Sequence, residues 1–310
     1  MHAVFVDANE TLAELMERQA EPTDPPVIIH HDPDVKPEEL PGVLAGADIA
    51  IIDHTYLPTD IARQCPGLKH VVFLGTGARS YMNIEELAGL GISVHLIRGY
   101  GETAVAEATI ALMWAAARNL ALMDREMRAG FWLREDGLQL TGKTLGLIGL
   151  GGIGAEVARI AAGGGMKVIA WNRTPKPTAG VEFVDLDTLL RDSHVVSMHL
   201  LLTDETRGFL SRERLAAMRP GAILVNTARG ALVDEAAMID ALQSGHLRHA
   251  ALDVFDIEPL PADHPLLQIS NVTLSAHSAF RTPEASENLI AAARAHCRRI
   301  AAEVVNLDDR

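Results

Sequence analysis

Cysteine and positive charge are scarce in this chain. Its 310 residues include two cysteines, Cys65 and Cys297, which give neither a disulfide framework nor the spacing of a metal site. The formal net charge of −14 argues against nonspecific nucleic-acid binding, which needs clustered Lys and Arg. The apolar runs are shorter than the ~18 residues of a membrane span, and MHAVFVDANE lacks a signal-peptide pattern. We therefore expect a cytoplasmic protein with no metal site, nucleic-acid partner or membrane partner.

Short apolar runs alternate with longer helical stretches along most of the chain. This alternation predicts parallel sheets that are covered by helices on both faces. A long Ala-rich helix is expected from Ala104 to about Ala129, between two sets of strands, and a last helix over Pro283–Val305. The predicted strands are Val4–Val6, Val27–Ile29, Ile49–Ile52, Val71–Leu74 and Val94–Ile97, followed by Thr144–Gly149, Lys167–Trp171, His194–His199, Ala222–Asn226, Ala250–Val254 and Val272–Ser275.

A glycine-rich loop follows the first strand of the second set. Its residues are Gly149, Leu150, Gly151, Gly152, Ile153 and Gly154, and the next stretch has strong helix propensity. In this strand–turn–helix context Gly149 permits a tight turn, Gly151 lets the backbone approach a pyrophosphate, and Gly154 allows close helix–strand packing. The N-terminus of the helix supplies N–H groups for the phosphates. A dinucleotide site is the interpretation that the context favours over a plain glycine-rich turn.

The next strand ends in Asn172-Arg173-Thr174. An acid at this point usually accepts hydrogen bonds from the ribose of NAD, and it would repel a 2′-phosphate. Asn172 removes that charge, Arg173 can pair with a phosphate, and Thr174 adds a hydroxyl. These residues favour NADP(H). NAD(H) stays possible, since Arg173 can also be read as a solvated loop residue.

Three further strand ends are followed by polar groups, in the stretches NTARG (226–230), DVFDIEP (253–259) and LSAHSAF (274–280). Ligands of an open α/β sheet bind outside the carboxyl ends of the strands. All three stretches are therefore expected to face the cofactor crevice.

With these motifs in this order, the chain resembles the D-isomer-specific 2-hydroxyacid dehydrogenase family across roughly residues 40–285. The likeness lies in LTGKTLG before GLGGIG, His199 to Thr206, NTARGALVDE, DVFDIEP and AHSAF. It implies an α/β fold of two doubly wound parallel-sheet domains. These are a flavodoxin-like substrate-binding domain of residues 1–98, completed by the C-terminal helix 283–310, and a Rossmann dinucleotide-binding domain of residues 99–282.

The resemblance also implies a catalytic set. His277 matches the family's acid–base, a task that suits an imidazole near neutral pH. Glu258 matches its acidic partner, and a nearby carboxylate stabilises an imidazolium and orients the ring. Arg229 matches the arginine that holds the substrate carboxylate and polarises the reacting carbonyl.

Further contacts are implied for the cofactor and the substrate. Thr227, Ala228 and Asp253 are expected at the cofactor, Asp253 near the nicotinamide carboxamide. Thr76 and Gly77 follow a strand of the N-terminal part, where backbone N–H groups can cradle a carboxylate as the other wall of the substrate cleft.

His54 lies where the family varies its substrate contacts, although a solvated loop histidine is an equal interpretation. The chain departs from the family at Arg79 and Met82, where Asp is usual, and at Leu201, where many members have Pro. We expect Arg79 to form a surface ion pair, and the departure at Arg79 and Met82 leaves the substrate open.

The predicted activity is hydride transfer between NADP(H) and a small 2-oxo acid or D-2-hydroxy acid, close to glyoxylate or hydroxypyruvate. A formate- or phosphite-type dehydrogenase and a cofactor-sensing, corepressor-like binding protein are the alternatives. The aromatic pair Phe131-Trp132 follows the long helix. Core packing is its ordinary role, but the resemblance favours a homodimer interface through the cofactor domain.

Overall fold

The computed structural model describes residues 1–308, which form two compact units. The first comprises Met1–Gly101 together with the chain from Arg281 onward, and the second comprises Glu102–Phe280. The substrate-binding role that the sequence assigns to the first unit stays a prediction.

The structure contains the following elements in chain order. The strands are β1 (Ala3–Phe5), β2 (Val27–Ile29), β3 (Ile49–Ile52), β4 (His70–Phe73), β5 (Ser93–Leu96), β6 (Thr144–Ile148), β7 (Lys167–Trp171), β8 (Glu182–Phe183), β9 (Val195–Met198), β10 (Ala222–Asn226), β11 (Leu247–Leu252) and β12 (Val272–Leu274). The helices are α1 (Glu10–Arg18), α2 (Leu40–Val43), α3 (Thr59–Ala62), α4 (Ile84–Gly89), α5 (Glu102–Ala117), α6 (Leu120–Arg128), α7 (Gly152–Gly163), α8 (Leu186–Asp192), α9 (Arg212–Ala217), α10 (Glu235–Gln243) and α11 (Pro283–Asp308).

The first unit is built on a parallel sheet with strand order β2-β1-β3-β4-β5. This is the flavodoxin-like doubly wound order. The central strand β3 is buried at every residue, because helices cover both of its faces. Leu289 and Ile290 of α11 pack in one core with Phe5 and Met16, so the C-terminal helix completes this unit.

The second unit is built on a parallel sheet with strand order β12-β11-β10-β9-β6-β7-β8. Counted from β6, its first six strands have the order 3-2-1-4-5-6 of the Rossmann fold, and β12 extends the sheet. The expected fold class, with one Rossmann and one flavodoxin-like sheet, is confirmed. The strand order reverses between β6 and β9, which is where such a sheet binds its ligand.

Three observed elements differ from the sequence prediction. The long helix expected from Ala104 to about Ala129 is two helices, α5 and α6, because the helix is interrupted at Asn119. Asn119 has a left-handed φ of 51°, which asparagine tolerates, and its side-chain amide donates to the carbonyl oxygen of Asp136 at 3.3 Å. The sequence prediction also missed β8, whose two residues are too few for an alternation pattern, and it began β11 at Ala250 rather than Leu247.

Candidate active site

The glycine loop between β6 and α7 is shaped by close backbone contacts. Gly149 has a φ of +99°, and a Cβ at this position would lie 2.5 Å from the carbonyl oxygen of His199. A Cβ on Gly154 would lie 2.7 Å from the carbonyl oxygen of Gly149. A Cβ on Gly151, in contrast, would meet no described atom within 4 Å. The loop is therefore tight where the chain packs on itself and open where a pyrophosphate would approach the N-terminus of α7, so it fits a dinucleotide.

Glu102, the first residue of α5, lies against this loop. A Cβ on Gly152 would be 1.9 Å from its Oε1, so the carboxylate sits beside the first residue of α7. A negative charge is favourable at a helix N-terminus, and this one lies next to the place proposed for the phosphates. The sequence interpretation missed Glu102, because no motif links it to the glycine loop and only the packing of α5 against α7 brings it there.

The end of β7 adjoins the glycine loop. The N–H of Gly149 donates to the carbonyl oxygen of Trp171 at 2.9 Å, and the amide of Asn172 donates to the carbonyl oxygen of Thr174 at 3.4 Å. The guanidinium of Arg173 pairs with Glu205 at 3.2 Å, and both side chains are exposed. Like Glu102, Glu205 is an acid that the sequence did not predict at this site.

His199 forms the floor of the loop at the strand-order reversal. Its Nε2 is 2.9 Å from the hydroxyl of Ser197, and its backbone N–H donates to the carbonyl oxygen of Ile148 at 2.8 Å. Burial lowers the pKa of His199 to about 4, so its ring is neutral near pH 7.

His277 and Glu258 form a directly hydrogen-bonded pair. The distance between His277 Nδ1 and Glu258 Oε2 is 2.6 Å, and Glu258 Oε1 accepts the N–H of Phe255 at 2.8 Å. Burial alone would raise the pKa of Glu258, but the hydrogen bonds from His277 and Phe255, together with the charge of Arg229, lower it overall. The carboxylate is thus ionised near neutral pH. Because Nδ1 is committed to Glu258, Nε2 is the nitrogen available for proton transfer.

The buried carboxylate of Asp253 holds the loop that carries His277. It accepts hydrogen bonds from the hydroxyl of Ser275, from the N–H of Ser278 at 3.0 Å and from the N–H of Ala279 at 2.9 Å. The backbone carbonyl of Asp253 also accepts the N–H of His277 at 2.7 Å. His277 itself has a left-handed φ of 46°, which a non-glycine residue rarely adopts. These bonds show Asp253 fixing the backbone at His277, while a cofactor contact for Asp253 stays a prediction.

The loop after β10, which carries Arg229, is also held by hydrogen bonds from a buried polar side chain. The buried side chain of Asn226 accepts the N–H of Ala228 at 3.0 Å and donates to the carbonyl oxygen of Arg229 at 2.9 Å. A Cβ on Gly230 would lie 2.0 Å from the carbonyl carbon of Phe255, so only glycine fits there. The hydroxyl of Thr227 lies 2.7 Å from that of Thr109 on α5. Asn226 is a bracing residue that the motif alone did not reveal.

Within the first unit, Thr76 and Gly77 follow β4. Thr76 is exposed, and Gly77 precedes a short 3-10 turn over residues 78–80. Arg79 in that turn forms the expected surface ion pair, with Glu85. These two predicted substrate contacts therefore lie together at the carboxyl end of a strand of this sheet.

His54 lies at the carboxyl end of β3 in the same unit. Its Nδ1 is 2.9 Å from Asp53 Oδ2, and this hydrogen bond raises the pKa of His54 against the opposing effect of burial. The buried carboxylate of Asp7 accepts the N–H groups of Asp53, His54 and Thr55 at 2.7–2.9 Å, and also the Thr55 hydroxyl. The loop is thereby fixed, and half of the His54 side chain stays exposed.

Neither cysteine forms a disulfide, and both are buried. Burial raises the pKa of the Cys297 thiol to about 12. Among residues 1–303, whose side chains are described, no cluster of His, Cys, Asp and Glu is suited to a metal ion. No helix in the described part of the chain is long and apolar enough to cross a membrane.

Known proteins are similar to this chain in sequence and architecture. Residues 110–279 match the family model described as "D-isomer specific 2-hydroxyacid dehydrogenase, NAD binding domain". The chain is 41% identical over 256 residues to a glyoxylate reductase of Aeropyrum pernix, covering 76% of each chain. It is 38% identical over 259 residues to a hydroxypyruvate reductase of Thermotoga maritima, covering 81% of this chain and 84% of that protein.

Solved structures agree with the sequence comparisons. The TT0316 protein of Thermus thermophilus superposes with a TM-score of 0.84 at 36% identity, over 95% of this chain and 94% of that one. An acyclic imino acid reductase (Bsp5), solved with NADPH and D-Arg, superposes with a TM-score of 0.82 at 28% identity, over 94% of both chains. The chain therefore belongs to the D-isomer-specific 2-hydroxyacid dehydrogenase family, as an NAD(P)-dependent enzyme.

Proposed function

We propose that this enzyme reduces a small 2-oxo acid of the glyoxylate or hydroxypyruvate type to its D-2-hydroxy acid, with NADPH as the preferred reductant. The observation that carries the proposal is the 2.6 Å His277–Glu258 pair, with Arg229 close enough to lower the pKa of Glu258. A proton donor and a nearby cation are what reduction of a carbonyl next to a carboxylate requires.

Three side chains share the chemistry. Arg229 binds the substrate carboxylate with its guanidinium fork and polarises the 2-oxo group. His277 donates a proton from Nε2 to the substrate oxygen and takes it back in the reverse direction. Glu258 holds Nδ1 and balances the charge of the imidazolium. The bound nicotinamide supplies or accepts the hydride.

The cofactor is held by the glycine loop and the end of β7. The backbone of Gly149–Gly154 and the N-terminus of α7 would hold the pyrophosphate, and Asn172, Arg173 and Thr174 would bind the adenosine ribose and its 2′-phosphate. The absence of an acid at residue 172 and the cation at 173 support NADP(H) over NAD(H). Thr227, Ala228 and Asp253 would lie toward the nicotinamide end. The NADPH complex of the similar imino acid reductase is compatible with this preference.

The substrate is expected to contact Thr76, Gly77 and His54 of the first unit. Small 2-oxo acids are favoured, because the similar proteins include a glyoxylate reductase and a hydroxypyruvate reductase. The cytoplasmic location expected from the sequence stays a prediction.

We also infer a two-fold homodimer through the second unit. Phe131 and Trp132 are 63% and 77% exposed, and Leu120 and Met127 of α6 are 52% and 48% exposed, so residues 120–132 of this unit carry four exposed large apolar side chains. A monomer rarely exposes such a group without a partner. Sedimentation equilibrium of the wild type and of Trp132→Ala tests this inference.

The function is tested with a panel of 2-oxo acids, each assayed spectrophotometrically with NADH and with NADPH. His277→Ala is expected to lower kcat by about 10²–10⁴-fold, the range for loss of a general acid, while NADPH binding stays within about twofold. His264→Ala is the matched control, because His264 also pairs with a glutamate of the same unit, Glu235, at 3.0 Å. Equal turnover of His277→Ala and wild type would refute the assignment, and formate oxidation in place of 2-oxo acid reduction would move it to another reaction.

A further inference from the structure

We propose that Glu205 is a specificity-determining residue that competes with the 2′-phosphate of NADP(H) for Arg173. The inference rests on the proposed preference for NADP(H). It adds an acid, from a different strand end, to the set of residues that decides between the two cofactors.

A tight turn after β9 holds Glu205 in place. The N–H of Thr206 donates to the carbonyl oxygen of Thr203 at 3.1 Å, which puts Asp204 and Glu205 at the apex of the turn. The hydroxyl of Thr206 accepts the N–H of Thr203 and donates to the carbonyl oxygen of Leu201, both at 2.7 Å. The apex is thus fixed by side-chain as well as backbone bonds.

The same loop packs against the end of β7 through an aromatic contact. The rings of Phe209 and Trp171 contact each other with centroids 5.2 Å apart and a tilt of 37°, and the guanidinium of Arg214 lies 4.2 Å above the Phe209 ring. Trp171 directly precedes Asn172-Arg173. This ring contact holds the turn close to Asn172-Arg173, the segment proposed to bind the ribose. Glu205 therefore lies beside Arg173.

The Arg173–Glu205 pair is weak and reversible. Its atoms are 3.2 Å apart, and the two side chains are 85% and 80% exposed. An exposed ion pair contributes little, because water and salt screen it. A 2′-phosphate, with about two negative charges and three acceptor oxygens, is the stronger partner for the guanidinium. The phosphate must still displace a carboxylate that stays nearby, so Glu205 lowers the affinity for NADP(H) and leaves that for NAD(H) nearly unchanged.

The test uses Glu205→Gln, which keeps the shape of the side chain and removes its charge. The matched control is Asp204→Asn, the other acid at the apex. Calorimetric titration of the cofactor-free protein measures binding of NADPH and NADH, and of the fragments adenosine 2′,5′-bisphosphate and 5′-AMP, which differ in the 2′-phosphate. We expect Glu205→Gln to bind NADPH and the bisphosphate about two- to fivefold more tightly, the range of an exposed ion pair. The affinity of Glu205→Gln for NADH and 5′-AMP should change by less than about 1.5-fold, and so should the affinity of Asp204→Asn for all four ligands.

Arg173→Ala separates this inference from the proposal on which it rests. If Arg173→Ala weakens NADPH by about tenfold or more and leaves NADH unchanged, the NADP(H) preference stands. Glu205→Gln added to Arg173→Ala should then bring no further gain, because the competition needs the guanidinium. Weaker NADPH binding by Glu205→Gln would overturn the inference, since Glu205 would then orient Arg173. So would an equal gain with and without Arg173. If Arg173→Ala affects both cofactors equally, the NADP(H) preference itself falls.

Discussion

Asp253→Asn tests whether the carboxylate acts through the backbone of His277 or touches the cofactor. Asp253 is 1% exposed, and its carboxylate oxygens accept three hydrogen bonds from the segment 275–279. Asparagine retains one acceptor oxygen, so Ser275 and Ser278 keep a partner. The other oxygen becomes an NH₂ group that faces the N–H of Ala279, and two donors then meet in a buried place.

The expected loss follows from these contacts. A hydrogen bond to a charged group contributes about 1.5–3 kcal/mol, and a buried donor without a partner costs about 1–3 kcal/mol. Some of this overlaps, so we expect the free energy of unfolding to fall by roughly 2–4 kcal/mol. The left-handed backbone at His277 costs about 1–2 kcal/mol. In the variant, fewer hydrogen bonds from residue 253 offset that cost. The loop should relax, move the ring from Glu258 and lower kcat by about 10²-fold, the lower range for a displaced general acid.

The assay compares kcat, the dissociation constants of NADPH and NADH, and urea-induced unfolding of the wild type, Asp253→Asn and Asp256→Asn. Asp256 is the control, because it is a nearby exposed acid whose nearest basic partner, Arg207, is 3.9 Å away. A positioning role predicts lower kcat and stability with cofactor binding within about twofold. If Asp253→Asn instead weakened both cofactors by about tenfold at unchanged stability, a loss the size of one charge-assisted hydrogen bond, the carboxylate would be a direct cofactor contact.

Two further predictions concern stability. Gly230→Ala should lower the free energy of unfolding by about 1–3 kcal/mol and reduce kcat, because its Cβ would lie 2.0 Å from the backbone of Phe255. The control is Gly163→Ala in α7, where a Cβ meets no described atom within 4 Å. Equal stability of the two variants in urea would contradict the prediction. Asp24→Asn should destabilise the first unit by about 3–5 kcal/mol, since it leaves the 94%-buried side chain of Arg294 without its carboxylate partner. Burial raises the pKa of Asp24, but hydrogen bonds from the N–H of Glu21 and from two arginines lower it overall. Its contribution to stability is therefore complete above the ordinary value of 3.8 and lost as the pH falls through the lowered pKa, so unfolding measured against pH should show a shallower acid slope in the variant.

The sequence alone determined the fold class, because both sheets are parallel and covered on both faces. Such strands appear as continuous apolar runs between helices, as at Ile49–Ile52 and Ala222–Asn226, which match β3 and β10. It also determined the family, since GLGGIG, NTARG and AHSAF are local patterns in a fixed order. Local patterns failed where a single residue decides the conformation. Asn119 breaks the long helix with a left-handed backbone that composition does not reveal.

Only the tertiary structure decided which side chains act together. The Glu258–His277 bond could be expected from motif order, but the bracing by Asp253 and Asn226, the approach of Glu102 to Gly152 and the pairing of Glu205 with Arg173 could not. These contacts join residues from different strand ends or helices, so no spacing along the chain encodes them. Parallel strands bring their carboxyl ends to one edge of the sheet, and packing between neighbouring loops then sets which charges meet.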